Sequence, residues 1–200
     1  MLPLLLASAS PRRREMLERV GVPLEVRPAD IDENPRPDED PAAYVARIAR
    51  DKAHAVARRP GQWVLAADTT VTIDRMILAK AGSPDEAAAM LRQLAGRVHQ
   101  VITAFTIVGD TGDAAVHRDG LVATDVVVIE LSEARIADYV ASGEWRGKAG
   151  AYAIQGIGAA LVREVRGSVT NVIGLPLVEV LEALSAVGAP SGKLAAGQPA

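Results

Sequence analysis

Cysteine is absent from this 200-residue chain. Its absence excludes disulfides and thiolate metal sites and fits a reducing compartment. Aromatic residues are almost as scarce: two Trp, three Tyr and one Phe. A core must then be packed from Val, Ile, Leu and many Ala, and stacking of nucleic-acid bases has few platforms to use. A basic excess is missing too, because 22 Lys and Arg face 25 Asp and Glu for a formal net charge of −3. The electrostatic footprint of a nucleic-acid binder is therefore not there. No apolar run approaches the ~20 residues that span a bilayer. The short Leu run near the N-terminus lacks a basic leader and a processing pattern, so it reads as a buried strand. These absences predict a soluble, cytoplasmic protein with neither nucleic acid nor membrane as partner.

Familiar catalytic signatures are missing as well. The three histidines form no HExxH zinc pair, and no Gly-x-Ser-x-Gly elbow occurs. The stretch from Gly143 through Gly147 and Lys148 has three residues between its glycines, with Ala149 where a P-loop needs Ser or Thr. Gly156 and Gly158 precede a strand-like run rather than a helix, unlike a dinucleotide fingerprint.

What is present is 49% hydrophobic, enough for one domain or two closely packed lobes over residues 1–188. The Ala-, Gly- and Pro-rich end, residues 189–200, reads as a disordered tail. Leu4–Leu6 reads as a strand. Ser10 then offers a hydroxyl N-cap and Pro11 a first helical residue, for a helix to about Val20 stopped by Gly21. Leu24–Val26 alternates like a strand, and an acidic, Pro-rich loop follows from Asp30 to Asp40. Pro41 opens a helix to about Arg58 whose apolar stripe is Val45, Ile48, Ala49, Ala53 and Val56. Trp63–Ile73 reads as a strand, and Ser83 through Glu86 as a capping box for a helix to Ala95, ended by Gly96. Two β-rich runs, Val98–Val108 and Leu121–Leu131, are separated by turn chemistry at Gly109–Gly112 and at Asp119 and Gly120. Glu133–Ala141 predicts a helix, Ala160–Val165 a strand, and Pro176 the start of a last helix through Leu184. Strands and helices mix without strict βαβ alternation, which predicts a mixed α/β sheet with flanking helices.

Several residues break these patterns. Ser8, Ser10, Arg12, Arg13 and Arg14 bring hydroxyls and three cations to the start of a helix. Cations there oppose the helix dipole, and a bound phosphate would give the arrangement a reason. Lys52 lies inside an apolar stripe, where it either snorkels to water or borders a cleft and reaches an anion. Asp68 emerges from the apolar run Val64–Ala67 and precedes Thr69 and Thr70. Such a carboxylate is hydrogen-bonded structurally, binds metal or acts as a base. Asp30, Asp32 and Glu33 supply hard oxygens of the kind Mg²⁺ takes beside phosphates. Lys80 ends an apolar run just before a loop. Cations on several segments together with Glu33 and Asp68 suit hydrolysis of a phosphoanhydride.

Taken in order, these segments resemble the Maf family of nucleotide pyrophosphatases. The matches are Ser8, Ser10, Pro11, Arg12 and Arg13; Asp32 and Glu33; Lys52; Ala67 to Thr69; Lys80; Met90, Leu91, Leu94 and Gly96; and His99, Val101 and Thr103. They continue with Tyr139, Val140 and Ser142 to Glu144, then Lys148 to Gly150, Tyr152 and Ile154 to Gly156, and last Gly167, Ser168, Asn171, Val172 and Gly174 to Pro176. The resemblance implies an elongated, twisted mixed sheet of Maf/ITPase-like type, with two lobes around a central cleft. It implies cleavage between the α and β phosphates with a divalent metal, Mg²⁺ or Mn²⁺, and a homodimer. Asp68 matches the proton acceptor, and Glu33 with Asp68 the metal-binding carboxylates. Lys52 and Lys80 match catalytic cations, Ser8, Arg12 and Arg13 phosphate-binding residues, and Arg12, Thr69 and Gln155 the positions that separate subgroups. Thr69 with Tyr152, Ile154 and Gln155 resembles the dTTP/UTP subgroup. The same chemistry on purine or modified nucleotides such as 7-methyl-GTP, and a non-catalytic nucleotide-binding regulator of septum formation, are the alternatives. The chain departs from the family pattern at Ala81 after Lys80, in the turn at Arg75 to Ile77, which has no Gly, and at Ala151.

Overall fold

The computed structural model describes residues 2–111 and 114–193. Seven strands form one sheet: β1 (Leu4–Leu6), β2 (Leu24–Val26), β3 (Val64–Ile73), β4 (Met76–Leu78), β5 (Val98–Thr111), β6 (Ala114–Val128) and β7 (Val162–Arg166). Their order is β2-β1-β3-β5-β6-β7, with β4 paired to β3. β1 runs parallel to both neighbours, whereas β4 and β7 are antiparallel to β3 and β6. The sheet is mixed, as the irregular alternation of elements predicts. The three leucines of β1 are fully buried, which explains its unbroken apolar sequence, since a strand covered on both faces has no polar side to show.

The helices are α1 (Pro11–Arg19), α2 (Pro41–Ala55), α3 (Pro84–Leu94), α4 (Glu133–Ser142), α5 (Val169–Ile173) and α6 (Leu177–Ala186), with a 3₁₀ turn at Ile157–Leu161. Among the described residues, no helix is long and apolar enough to cross a membrane. Two compact units emerge. One comprises Met1–Asp68, Thr103–Leu121 and Gly174–Ala200, and the other Thr69–Ile102 and Val122–Ile173. In the first, the α2 stripe sets Ala53 and Val56 against Leu5, Ala7, Val64, Ala66 and Val108. In the second, Leu91 and Leu94 of α3 and Ile136 and Tyr139 of α4 pack with Val71, Ile73 and Val126 of the sheet.

Local chemistry sets most boundaries. Asp40 caps α2 by accepting the Ala42 N–H at 3.0 Å, and Ser83 caps α3 by accepting from Glu86 at 3.2 Å. The expected box closes one residue further out, because Glu86 accepts from Gly82 at 2.7 Å. Gly143 ends α4 at φ 73°, the left-handed conformation glycine reaches without a Cβ clash.

Five expectations need correcting. Ser10 occupies the N-cap of α1 but its side chain makes no capping bond there; its N–H instead donates to Ser8 Oγ at 3.3 Å. α2 ends at Ala55, three residues before Arg58. Ala160 and Leu161 belong to the 3₁₀ turn, not to β7. Gly109, Asp119 and Gly120 are not turn residues: β5 and β6 run through them. A Cβ at Gly109 would come 2.2 Å from the Trp63 ring, and one at Gly120 2.2 Å from the Phe105 ring, so each glycine makes room for an aromatic. The expected turn residue Gly112 lies outside the described residues. Finally, Ala189 is buried and the Lys193 N–H donates to the Val20 carbonyl at 3.1 Å. Residues 189–193 are thus packed rather than part of a tail, and residues 194–200 lie outside the described residues.

Candidate active site

Within the first unit, three sequence-selected residues converge. Lys52 Nζ, on the buried face of α2, lies 2.9 Å from Asp68 Oδ1 on β3 and 2.9 Å from Glu33 Oε1 in the loop before α2. Lys52 and Asp68 are each only 7% exposed, whereas Glu33 keeps 42% of its side chain in reach of solvent. The ammonium in the apolar stripe is therefore paired, not snorkelling. An ion buried this far must be compensated, and two carboxylates do so here.

The Glu33 loop is fastened from α2. Tyr44 Oη donates to the Glu33 carbonyl at 2.9 Å, and Arg47 binds the Asn34 carbonyl at 3.1 Å and both oxygens of Glu39 at 2.7 Å. Burial, then the charges of Asp68 and Glu33, push the Tyr44 hydroxyl up to about 12, so it stays a donor. Arg47 pulls the Glu39 carboxyl down to about 2. Sequence reasoning assigned nothing to Tyr44 or Arg47. Their spacing on α2, three residues apart and opposite an acidic loop, is the available signal.

The basic segment divides its labour. Arg13 is buried: Nη1 donates to Ser8 Oγ at 3.0 Å and to the Ala67 carbonyl at 2.7 Å, and Nε donates to the Gly174 carbonyl at 2.8 Å. It joins the Ser8 loop to the residue preceding Asp68. Burial pulls its pKa down, the Asp68 charge pulls it up, and Arg12 pulls it down again. Arg12 is half-buried, and burial lowers its pKa from the ordinary arginine value. Arg14 is exposed and approaches Glu18 at 3.6 Å, as a surface residue.

Three further candidates lie in the second unit. Thr69 follows Asp68 on β3 and is half-buried. Lys80 is exposed, its backbone bridged to Ala149. Gln155 is exposed in a loop held by Glu144, which accepts from Ile157 N–H, Gly158 N–H and Tyr139 Oη, each at 2.8 Å. Burial alone would raise the Glu144 carboxyl; the bonds from Gly158, Tyr139 and Ile157 outweigh it and hold it below the usual carboxylate range. Tyr139 and Glu144 figured in the sequence only as parts of a motif.

Among the described residues, no group of three or more His, Cys, Asp or Glu could hold a metal ion. The available donor set is the pair Glu33 and Asp68, both hard oxygen ligands. A Mg²⁺-type ion asks no more than one or two carboxylates when phosphates and water complete its shell, so the pair fits such an ion.

A family model described as Maf-like protein matches residues 3–187. A dTTP/UTP pyrophosphatase of Anaeromyxobacter dehalogenans (strain 2CP-1) is 51% identical over 187 residues, covering 94% of this chain and 95% of that protein. Proteins of the same name from Cereibacter sphaeroides and Myxococcus xanthus are 48% and 49% identical. The first covers 96% of this chain and 99% of its own length, the second 94% and 93%.

Proposed function

Because this chain belongs to the Maf family, we propose that it is a dTTP/UTP pyrophosphatase, adding water across the α–β phosphoanhydride to give the nucleoside monophosphate and pyrophosphate. The observation that carries the proposal is the buried Lys52 held 2.9 Å from both Asp68 and Glu33. Lys52 occupies Oδ1 of Asp68, which leaves Oδ2 as the oxygen to take a proton from the attacking water. The proton moves to Asp68 as the water oxygen bonds to phosphorus and pyrophosphate departs. Glu33 and Asp68 would hold a Mg²⁺ or Mn²⁺ ion, whose chemistry is to neutralise phosphate charge.

Ser8, Arg12 and Lys80 are assigned to the phosphates. Arg13 is assigned to holding Ser8 and the Ala67–Asp68 backbone, since its donors already meet Ser8 Oγ and two carbonyls. Thr69 and Gln155 are assigned to the base. A Gln amide can donate to O4 and accept from N3–H of uracil or thymine, and polar groups left unpaired by another base penalise it. The work is placed in the cytoplasm and the assembly as a homodimer, which sedimentation of the purified chain checks.

The deciding experiment incubates the protein with Mg²⁺ and dTTP, UTP, dGTP or 7-methyl-GTP and identifies the products. Monophosphate plus pyrophosphate from dTTP and UTP is expected. Asp68→Asn should lower kcat at least about a hundredfold, the usual worth of a general base, with the far-UV circular dichroism unchanged. Orthophosphate release, preference for the purines, or full turnover by Asp68→Asn would overturn the reading.

A further inference from the structure

Glu144 and Tyr139 brace both sides of one exposed residue. Glu144 lies just past the end of α4; its Oε1 accepts the Ile157 N–H at 2.8 Å, and its Oε2 accepts the Gly158 N–H and the Tyr139 hydroxyl, both at 2.8 Å. The Tyr139 oxygen, having donated its proton, accepts the Ala153 N–H at 3.1 Å. The backbone is therefore fixed at 153 on one side of Gln155 and at 157 and 158 on the other. Tyr139 is itself only 3% exposed in the core beneath, so the brace is anchored in packed structure.

Gly156 is fitted to this brace. A Cβ there would fall 1.7 Å from Glu144 Oε1, so the carboxylate approaches the chain at a point where only glycine lets it pass. Gln155, Gly156 and Ile157 are all exposed. Water could satisfy the Ile157 N–H at such a position, so bonding it to a carboxylate chiefly fixes the shape of the loop. The side chain presented at the centre of that shape is Gln155.

We infer that Glu144 and Tyr139 are positioning residues for substrate choice, holding the Gln155 loop so that its amide meets the base from one place. The inference rests on the assignment of Gln155 to the base made above. A loop freed from the brace spreads Gln155 over many positions and loses much of its contact with uracil or thymine. Nucleotides that never made that contact are unaffected.

Steady-state kinetics with dTTP and dCTP on Glu144→Ala, Tyr139→Phe and Gln155→Ala test this. Glu144→Ala should lower kcat/KM for dTTP about tenfold, mainly through KM, and leave dCTP within about twofold, as expected for one or two lost hydrogen bonds. Tyr139→Phe, which keeps the buried ring, should shift the ratio the same way by less, and it carries the test if Glu144→Ala does not fold. Adding Glu144→Ala to Gln155→Ala should change the dTTP:dCTP ratio no further. If Gln155→Ala abolishes the preference while Glu144→Ala and Tyr139→Phe retain it, the brace has no part in selection and the inference falls. Equal losses with both nucleotides make Glu144 merely structural and also overturn it. If Gln155→Ala itself keeps the preference, the assignment of Gln155 to the base is what fails.

Discussion

A buried ammonium between two carboxylates makes each of its partners depend on it. Removing one member of such a cluster strands a desolvated charge, which costs more than the intact pair contributes. Lys52→Met, close in length and shape, should therefore lower unfolding stability by about 3 kcal/mol, because Asp68 is left buried without its cation. Adding Asp68→Asn to Lys52→Met should recover more than half of that loss, which a double-mutant cycle by urea denaturation measures. Strict additivity of the two changes would show that the 2.9 Å contact carries no energy. Both residues were legible in sequence for one reason: a charge interrupting an apolar pattern demands a partner. The bonds of Arg13 to Ser8 Oγ and to the Ala67 and Gly174 carbonyls were not foreseen, because Arg12, Arg13 and Arg14 look alike as a run. The separating signal is periodicity, since Arg13 shares the buried face of α1 with Met16 and Leu17, three and four residues on. Glu144 was opaque for a different reason, because its partners are mostly backbone N–H groups, which no sequence pattern displays.

At the level of elements, two of the places singled out in the sequence as departures, the turn at Arg75 and Ala151, coincide with left-handed backbone. Ile73 pairs with Met76, so Asp74 and Arg75 alone turn the chain between β3 and β4, at φ 51° and 65°. A two-residue hairpin turn with both φ positive is the type that asks for Asn-Gly or Asp-Gly. Arg75→Gly should raise stability by about 1 kcal/mol by relieving the left-handed penalty of a Cβ. Arg75→Ala, which keeps the Cβ, should not; equal midpoints in urea for the Gly and Ala variants would remove the argument. Asp74 stays paired with Arg97 at 2.7 Å in either case. Ala151, at φ 56° and fully buried, is a second such place. Helix starts such as those at Ser83 and Pro41 were legible because a cap or a first-turn proline is local chemistry. The full lengths of β5 and β6 were not, because Gly109 and Gly120 serve rings distant in sequence, and glycine in a strand looks like glycine in a turn. The strand at Ala160 was misjudged at its first two residues, which belong to the 3₁₀ turn whose first N–H groups Glu144 holds.

Over the whole molecule, the scarcity of aromatics proves less limiting than composition suggests: Trp63, Phe105, Tyr139, Trp145 and Tyr152 are all buried. The partner of one of them, His99 beside Tyr152, sets the chain's response to acid. His99 is 2% exposed, with Nε2 2.8 Å from the Tyr152 hydroxyl and Nδ1 lacking a hydrogen-bond partner among the described residues. Its imidazolium would need two acceptors, and the ring edge-on at 5.4 Å provides at most one. Burial pushes its pKa down to about 4, with the Asp125 charge opposing, against ~6.5 in the unfolded chain. Above pH ~6.5 the imidazole is neutral in both states and adds no pH dependence. As pH falls from there towards 4, the unfolded chain takes up a proton that the folded chain refuses. Stability should then decline by up to about 3 kcal/mol, flattening once the folded form also protonates. Carboxylates held low by their partners, such as Glu39 at about 2, lose their contribution only below pH ~4.5, so the window between 6.5 and 5 isolates histidine. Urea unfolding at closely spaced pH should show the decline in the wild type and a nearly flat profile in His99→Gln. A slope in that window that survives the substitution would overturn the assignment of the effect to His99.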